Sequence, residues 1–165
     1  MDSYDRDEES PAERIDRNWE ELLQELRVAQ TGVQILTGFL LTLPLQPTFP
    51  KLTGSERWSY VFAITMSIIA TCLLIGPVAM HRALFRRRRK ETLVEVGHRV
   101  ASLGLGFLAA AIIGVVDLTF SIVFDGLVGA MAAALGLAMF LGVWVVLPLT
   151  LRRHLTQPEE AVGGQ

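Results

Sequence analysis

The chain carries one cysteine, Cys72, so it forms no internal disulfide and offers no cysteine-based zinc site. Cys72 lies in an apolar run, where a small buried hydrophobe is the expected role. Histidine is scarce too: His81, His98 and His154 sit at the inner ends of apolar stretches and lack the spacing of a metal site. There is no glycine-rich phosphate loop, no nucleophile elbow and no paired-acid motif. An enzyme is therefore the least expected class, and no cofactor or metal is expected. The N-terminus is acidic and no short apolar core with a cleavage site follows it, so no signal peptide is expected. Charge is missing from most of the chain. It is concentrated in residues 1–27, 82–99 and 152–160.

What remains is hydrophobic. Of 165 residues 51% are apolar, and the mean hydropathy is +0.40 with 19% charged residues. Four stretches are long enough to cross roughly 30 Å of hydrocarbon: about residues 28–45, 58–80, 100–124 and 127–151. The expected fold is an all-α integral membrane protein of four transmembrane helices. An amphipathic helical extension precedes the first span, so that one helix runs from Pro11 to about Leu43. Pro44, Pro47 and Pro50 then impose a stiff extended connector. Trp58 and Tyr60 open the second span as interfacial aromatics, and Gly76-Pro77 predicts a kink near its end. Residues 82–96 alternate apolar and charged positions as a surface helix beside the membrane would, with Gly97 as a break. Asp125-Gly126 is a turn signal. The domain plan is a disordered acidic tail over 1–11, a transmembrane domain over 12–154 and a second disordered tail over 155–165.

The charge asymmetry orients this plan. Residues 1–20 hold eight acids and three arginines, a net of −5, and residues 82–99 hold seven bases and two acids, a net of +5. Four spans place both termini, the 82–99 segment and Arg152-Arg153 on one side. By the bias of lysine and arginine that side is the cytoplasm. The expected location is a cell membrane, as a multi-pass protein of a bacterial plasma membrane.

Two polar features enter the apolar spans. On the first helix, Glu20, Gln24, Arg27, Thr31, Gln34, Gly38 and Thr42 fall within about 40° of one line, a polar seam carried into the hydrocarbon. Gln30 lies one turn from Gln34, with Thr37 beside them. The third span contains one formal charge, Asp117. It shares an ~80° sector with Arg99, Gly106, Ala110, Gly114 and Ser121. Gly106, Ala110 and Gly114 have the small-residue spacing that lets a second helix approach closely. A carboxylate inside a bilayer costs several kcal/mol unless paired, hydrated or protonated, which makes it a functional candidate or an interhelical anchor. The seam and the Gly106–Gly114 groove with Asp117 are expected to be two halves of one interface. A third feature, Arg86, Arg87, Arg88, Arg89 and Lys90, places five adjacent cations just below the membrane. Such a run attracts anionic headgroups at roughly 1 kcal/mol per residue and also sets topology. Without aromatic interleaving or a fold to present it, the run does not point to nucleic acid.

Two stretches, ELLQELRVAQTGVQILTGFLLTLP and PVAMHRALFRRRRKETLV, carry a family resemblance. The chain resembles an uncharacterised family of small actinobacterial membrane proteins with four predicted spans. The likeness covers roughly residues 18–126 and extends loosely over the last span. The resemblance implies the membrane class. Some members carry an automatic sodium/proton antiporter label, which keeps transport in view.

Two functions follow. The first is a non-enzymatic scaffold or accessory subunit that binds anionic inner-leaflet lipids and partner proteins through its basic segment. The alternative is a small cation- or proton-coupled transporter that uses Asp117 with Gln30, Thr31 and Gln34. The first is favoured because no inverted repeat relates the halves and only Asp117 is ionisable in the core. The small-residue faces of the fourth span motivate a homo-oligomer or a partner membrane protein.

Overall fold

The computed structural model describes residues 11–84 and 90–150. Four helices dominate them: α1 (Pro11–Thr42), α2 (Gly54–Leu84), α3 (Lys90–Val123) and α4 (Gly126–Leu141). After α4 a π-helical segment, Gly142–Val146, leads back into α-helix up to residue 150. Pro148 has no N–H for the Trp144 carbonyl, and a π turn is a distortion that helices take near such a break. Segments long and apolar enough to cross a membrane are Leu23–Leu45, Gly54–Ala79, Val96–Val123 and Gly126–Thr150. These are the four spans expected from composition. Helices are the fitting solution in lipid because each satisfies its own backbone donors and acceptors.

The ends of the helices are set by local chemistry. At the start of α2, Glu56 Oε2 accepts from the Thr53 N–H at 2.7 Å, and Thr53 Oγ1 accepts from the Glu56 N–H at 3.4 Å. This reciprocal pair is a capping box. Asp125 caps α4, its Oδ1 accepting from the Leu127 and Val128 N–H groups at 2.9 Å each. The connector between α1 and α2 is not extended as expected. It forms two short 3₁₀ turns, Leu43–Leu45 and Phe49–Lys51. Pro44 and Pro50 occupy first-turn positions, where no N–H is required. Tyr60 locks this connector down. Its ring meets Phe49 edge-to-face at 5.1 Å, and its hydroxyl donates to the Leu40 carbonyl at 3.2 Å.

The surface helix expected over 82–96 is absent as a separate element. α2 continues to Leu84 and α3 starts at Lys90, so most of that segment extends the spanning helices. Gly97 does not break α3 but lies buried within it. The helix passes through because a buried glycine permits close packing while its backbone stays helical. Residues 85–89, the acidic N-terminal residues 1–10 and the C-terminal residues 151–165 lie outside the described residues.

Contacts define an antiparallel order. Against α2, Gly114 of α3 meets Phe62 and Ala63, Gly104 meets Leu73 and Leu74, and Val100 meets Gly76. α1 runs antiparallel to α2, with Gln30 at Leu74 and Thr37 at Ser67. α4 runs antiparallel to α3, with Gly129 beside Asp117 and Gly136 beside Ile113. α2 and α3 form the central pair. α1 packs across both, and α4 packs chiefly on α3. The buried core joins Leu26 and Val33 of α1, Ala70 and Leu74 of α2 and Ala101 of α3. Of the residues Gly126–Thr150, Gly129 alone is buried. Cys72, expected inside, is exposed instead, on the face of α2 turned away from these partners.

Candidate functional site

The side chains of α2 hold the polar groups of its neighbours. Ser59, Ala63, Ser67 and Thr71 recur at every fourth position, a small-residue ridge on one side of the helix. Small residues let helices approach closely, and their hydroxyls bond across the contact.

At the outer end of this ridge Ser59 Oγ donates to Asp117 Oδ2 at 2.5 Å. Among the described residues, Ser59 is the one hydrogen-bond partner of that carboxylate. Asp117 also borders α4. A Cβ added at Gly129 would lie 2.7 Å from the Asp117 carbonyl oxygen and 3.1 Å from Oδ1, and would overlap Ser121 Oγ. Only glycine fits there, so the α4 backbone rests directly on Ser121 and the Asp117 turn of α3. A recess of about 350 Å³ opens beside the carboxylate, lined by Trp58, Ser59, Phe62, Ile113, Gly114, Asp117 and Ala133. Trp58 is 74% exposed at its rim. Ser59 stands five residues inside α2, about 7 Å along the axis from Gly54. Counting back from Asp125 gives ~12 Å for Asp117, because that count includes turn residues that do not rise along the helix. Asp117 therefore sits at the level of an interfacial tryptophan and well above the middle of the span.

A second polar group lies deeper. Thr37 Oγ1 donates to the Val33 carbonyl at 2.7 Å and to Ser67 Oγ at 3.1 Å, with Thr71 Oγ1 at 3.5 Å. Ser67 is fully buried and donates in turn to the Ile64 carbonyl at 3.2 Å. Further along, Gln30 Nε2 donates to the Leu74 carbonyl at 2.7 Å. That acceptor belongs to the turn preceding Pro77. Pro77 has no N–H to give the Leu73 carbonyl, and its ring crowds the carbonyls before it. Gln30 thus places its amide donor on the carbonyl next to the one that Pro77 leaves without a helical partner, in a medium with no water.

These two polar sites do not meet. Ser59 and Leu74 are 15 residues apart on α2, about 22 Å along its axis. Between them lie buried Ala63 and Ala70 and the Thr37–Ser67–Thr71 hydroxyls, which include no ionisable group. The expected single interface joining the seam to Asp117 is corrected accordingly, because both halves dock on α2 at different levels. Gln34 is exposed on α1, and Thr31 is exposed with its hydroxyl returned to the Arg27 carbonyl at 3.0 Å. The seam as a line is turned outward. The inward polar residues are Gln30 and Thr37, on its flank.

The packing residues divide as well. Gly114 lies in the α2 contact, Ala110 is half-buried, and Gly106 faces open space. The close approach that Gly106 was expected to provide is made by Gly104, where an added Cβ would stand 2.9 Å from Leu74 Cγ. Arg86, Arg87, Arg88 and Arg89 lie outside the described residues, and Lys90 opens α3 with its side chain outside them. No group of three or more histidine, cysteine, aspartate or glutamate side chains converges among the described residues.

A family model described as a family of unknown function (DUF6328) matches residues 8–148. The chain belongs to this family. The match covers α1, α2, α3 and nearly all of the fourth span, so it takes in both polar sites of this DUF6328 protein and extends past the 18–126 stretch on which the resemblance rests most firmly. No curated protein and no solved structure matches the chain. Within DUF6328 the present geometry adds residues that the spacing arguments passed over: Ser59, Ser67, Thr71 and Gly129. The signal was the four-residue period of small residues from Ser59 to Thr71.

Proposed function

We propose that this protein is a non-enzymatic scaffold or accessory subunit of a bacterial plasma membrane. Its termini face the cytoplasm, and Arg86–Lys90 engages anionic inner-leaflet lipids and a partner membrane protein or a second copy of the chain. One observation supports this reading over transport: the intramembrane polar groups along α2 are used in joining helices, and the Thr37–Ser67–Thr71 cluster near its middle holds no ionisable group. Ser59–Asp117 ties α2 to α3 near the outer surface, and Gln30–Leu74 ties α1 to α2 near Pro77. A transported cation or proton needs groups that hand it on, at the middle of the membrane. The face of α4 left open along its whole length is the surface on which a partner helix fits.

Reconstitution into vesicles loaded with a pH-sensitive dye tests the choice. The expected result is no cation-dependent proton flux, together with binding to anionic vesicles that falls when Arg86–Arg89 are all changed to Gln. A flux that Asp117→Asn abolishes would overturn the scaffold reading in favour of transport.

A further inference from the structure

A groove of about 640 Å³ runs along the half of α3 nearer Lys90, at a different level from the Asp117 recess, and its lining includes Met66, His98, Arg99, Ser102, Gly106 and Ala110. Its two ends differ in chemistry. At one end stand His98 and Arg99, both exposed, next to exposed Ser102, whose hydroxyl is turned back onto the His98 carbonyl at 2.9 Å. Beyond them the lining is apolar or side-chain-free. Gly106 has nothing within 4 Å of the place a Cβ would take, so the groove is open there. At the far end is Met66 of α2, which is close to the middle of the Gly54–Ala79 span.

We infer that this groove holds one anionic phospholipid, its phosphate at Arg99 and one acyl chain laid along Ser102, Gly106 and Ala110. Length supports it. From Arg99 to Ala110 is 11 residues, about 16 Å along the helix, and one leaflet of hydrocarbon is about 15 Å deep. The groove thus begins at a charged level near one surface and ends near the midplane, as a lipid does. Charge supports it too. A guanidinium offers paired donors in the geometry a phosphate accepts, and the basic sequence 86–90 lies at the same end of α3. A second copy packed on this face about a two-fold axis would instead bring two Arg99 side chains to one level. The inference rests on the reading that this end of the molecule faces anionic headgroups, but it names a different site from Arg86–Lys90.

The test uses full-length protein in mild detergent, delipidated and titrated with dioleoyl phosphatidylglycerol or dioleoyl phosphatidylcholine, and read by native mass spectrometry. Wild type is expected to prefer the glycerol lipid by roughly fivefold, the effect of one well-placed basic side chain. Arg99→Gln is expected to abolish that preference while keeping the weaker choline-lipid adduct, and Arg99→Lys to retain it. Gly106→Leu, which has room for its side chain, is expected to lose the one-lipid adduct of both kinds. Changing Arg86–Arg89 to Gln should leave the Gly106→Leu effect in place. A preference lost only in that loop variant and untouched by Arg99→Gln and Gly106→Leu would overturn the groove while leaving the basic-segment reading standing. A preference untouched by every variant would overturn both. A Gly106→Leu protein that changed oligomeric state with unchanged lipid adducts would make the groove a protein interface and overturn the inference.

Discussion

Ser59 Oγ and Asp117 Oδ2 lie 2.5 Å apart and join α2 to α3 one residue inward of Trp58. The bond turns the one formal charge of the third span into a fastening between helices. Ser59→Ala is expected to cost about 1–2 kcal/mol of stability, because it strips a carboxylate of its partner. Asp117→Asn keeps a hydrogen-bonding oxygen and is expected to cost less. A double-mutant cycle in detergent or bicelles, read by steric trapping or denaturant unfolding, should give a coupling of about 1 kcal/mol between the two positions. Additive single effects would show that the pair does not act as a unit.

Gly129 is the closest point between α4 and α3. Gly129→Ala places a methyl group against Ser121 Oγ and the Asp117 backbone and must push the helices apart. The expected loss is about 1–3 kcal/mol, typical of overpacking. Gly38 of α1, with nothing within 4 Å, is the control. Gly38→Ala is expected to be neutral or to stabilise by up to about 1 kcal/mol through helix propensity. A loss at Gly38 equal to that at Gly129 would show that the close contact at Gly129 is not what sets its cost.

Gln30 and Pro77 should behave as a coupled pair. Gln30→Leu removes the donor to the Leu74 carbonyl, and the expected loss is about 1 kcal/mol. In a Pro77→Ala background α2 recovers an ordinary helical turn, and the same Gln30→Leu change is expected to cost measurably less. Unfolding of the four proteins of this cycle under one denaturant supplies the comparison. A Gln30→Leu penalty that is the same in both backgrounds would detach the glutamine from the proline.

Cys72 gives a labelling test that needs no substitution. It is exposed on α2 but lies seven residues from Ala79, about 10 Å inside the span. A membrane-impermeant maleimide is expected to leave it unmodified in intact vesicles, and a small permeant thiol reagent to reach it. In a Cys72→Ala background, cysteines at Gln46 and at Gln165 should be labelled from opposite sides. Labelling of both from one side would contradict the four-span topology.

Much of this architecture is legible in the residues. The four spans stand out because charge is withheld from them, and Pro11 and the Pro44–Pro50 cluster bracket α1 closely. The capping box of Thr53 and Glu56 starts α2 at Gly54, four residues ahead of the Trp58 at which the apolar run begins. Helix facing is harder. Strict four-residue spacing selects Gly106, Ala110 and Gly114, but each such step rotates 40° around the helix. The stripe that meets α2 follows mixed three- and four-residue steps, through Gly97, Ala101, Gly104, Ala111, Gly114 and Leu118, all buried. Gln30 shows a different limit. Its partner is a main-chain carbonyl near Pro77, and no side-chain pattern on α2 advertises that acceptor. The level of Asp117 does not read from its own span either; its partner Ser59, one residue from interfacial Trp58, fixes it as shallow.

The dependence of α1 on α2 bears on how the chain enters the membrane. Leu23–Leu45 is the least hydrophobic of the four spans, and it is the first to be synthesised. Its Gln30 amide and Thr37 hydroxyl find their acceptors on a helix about forty residues further along. Until α2 arrives, that amide has only lipid around it. The first two helices are thus matched for insertion as one hairpin, closed at its tip by Tyr60, Phe49 and the two proline turns. Assembly of the remaining helices then starts from a unit whose polar groups are already satisfied.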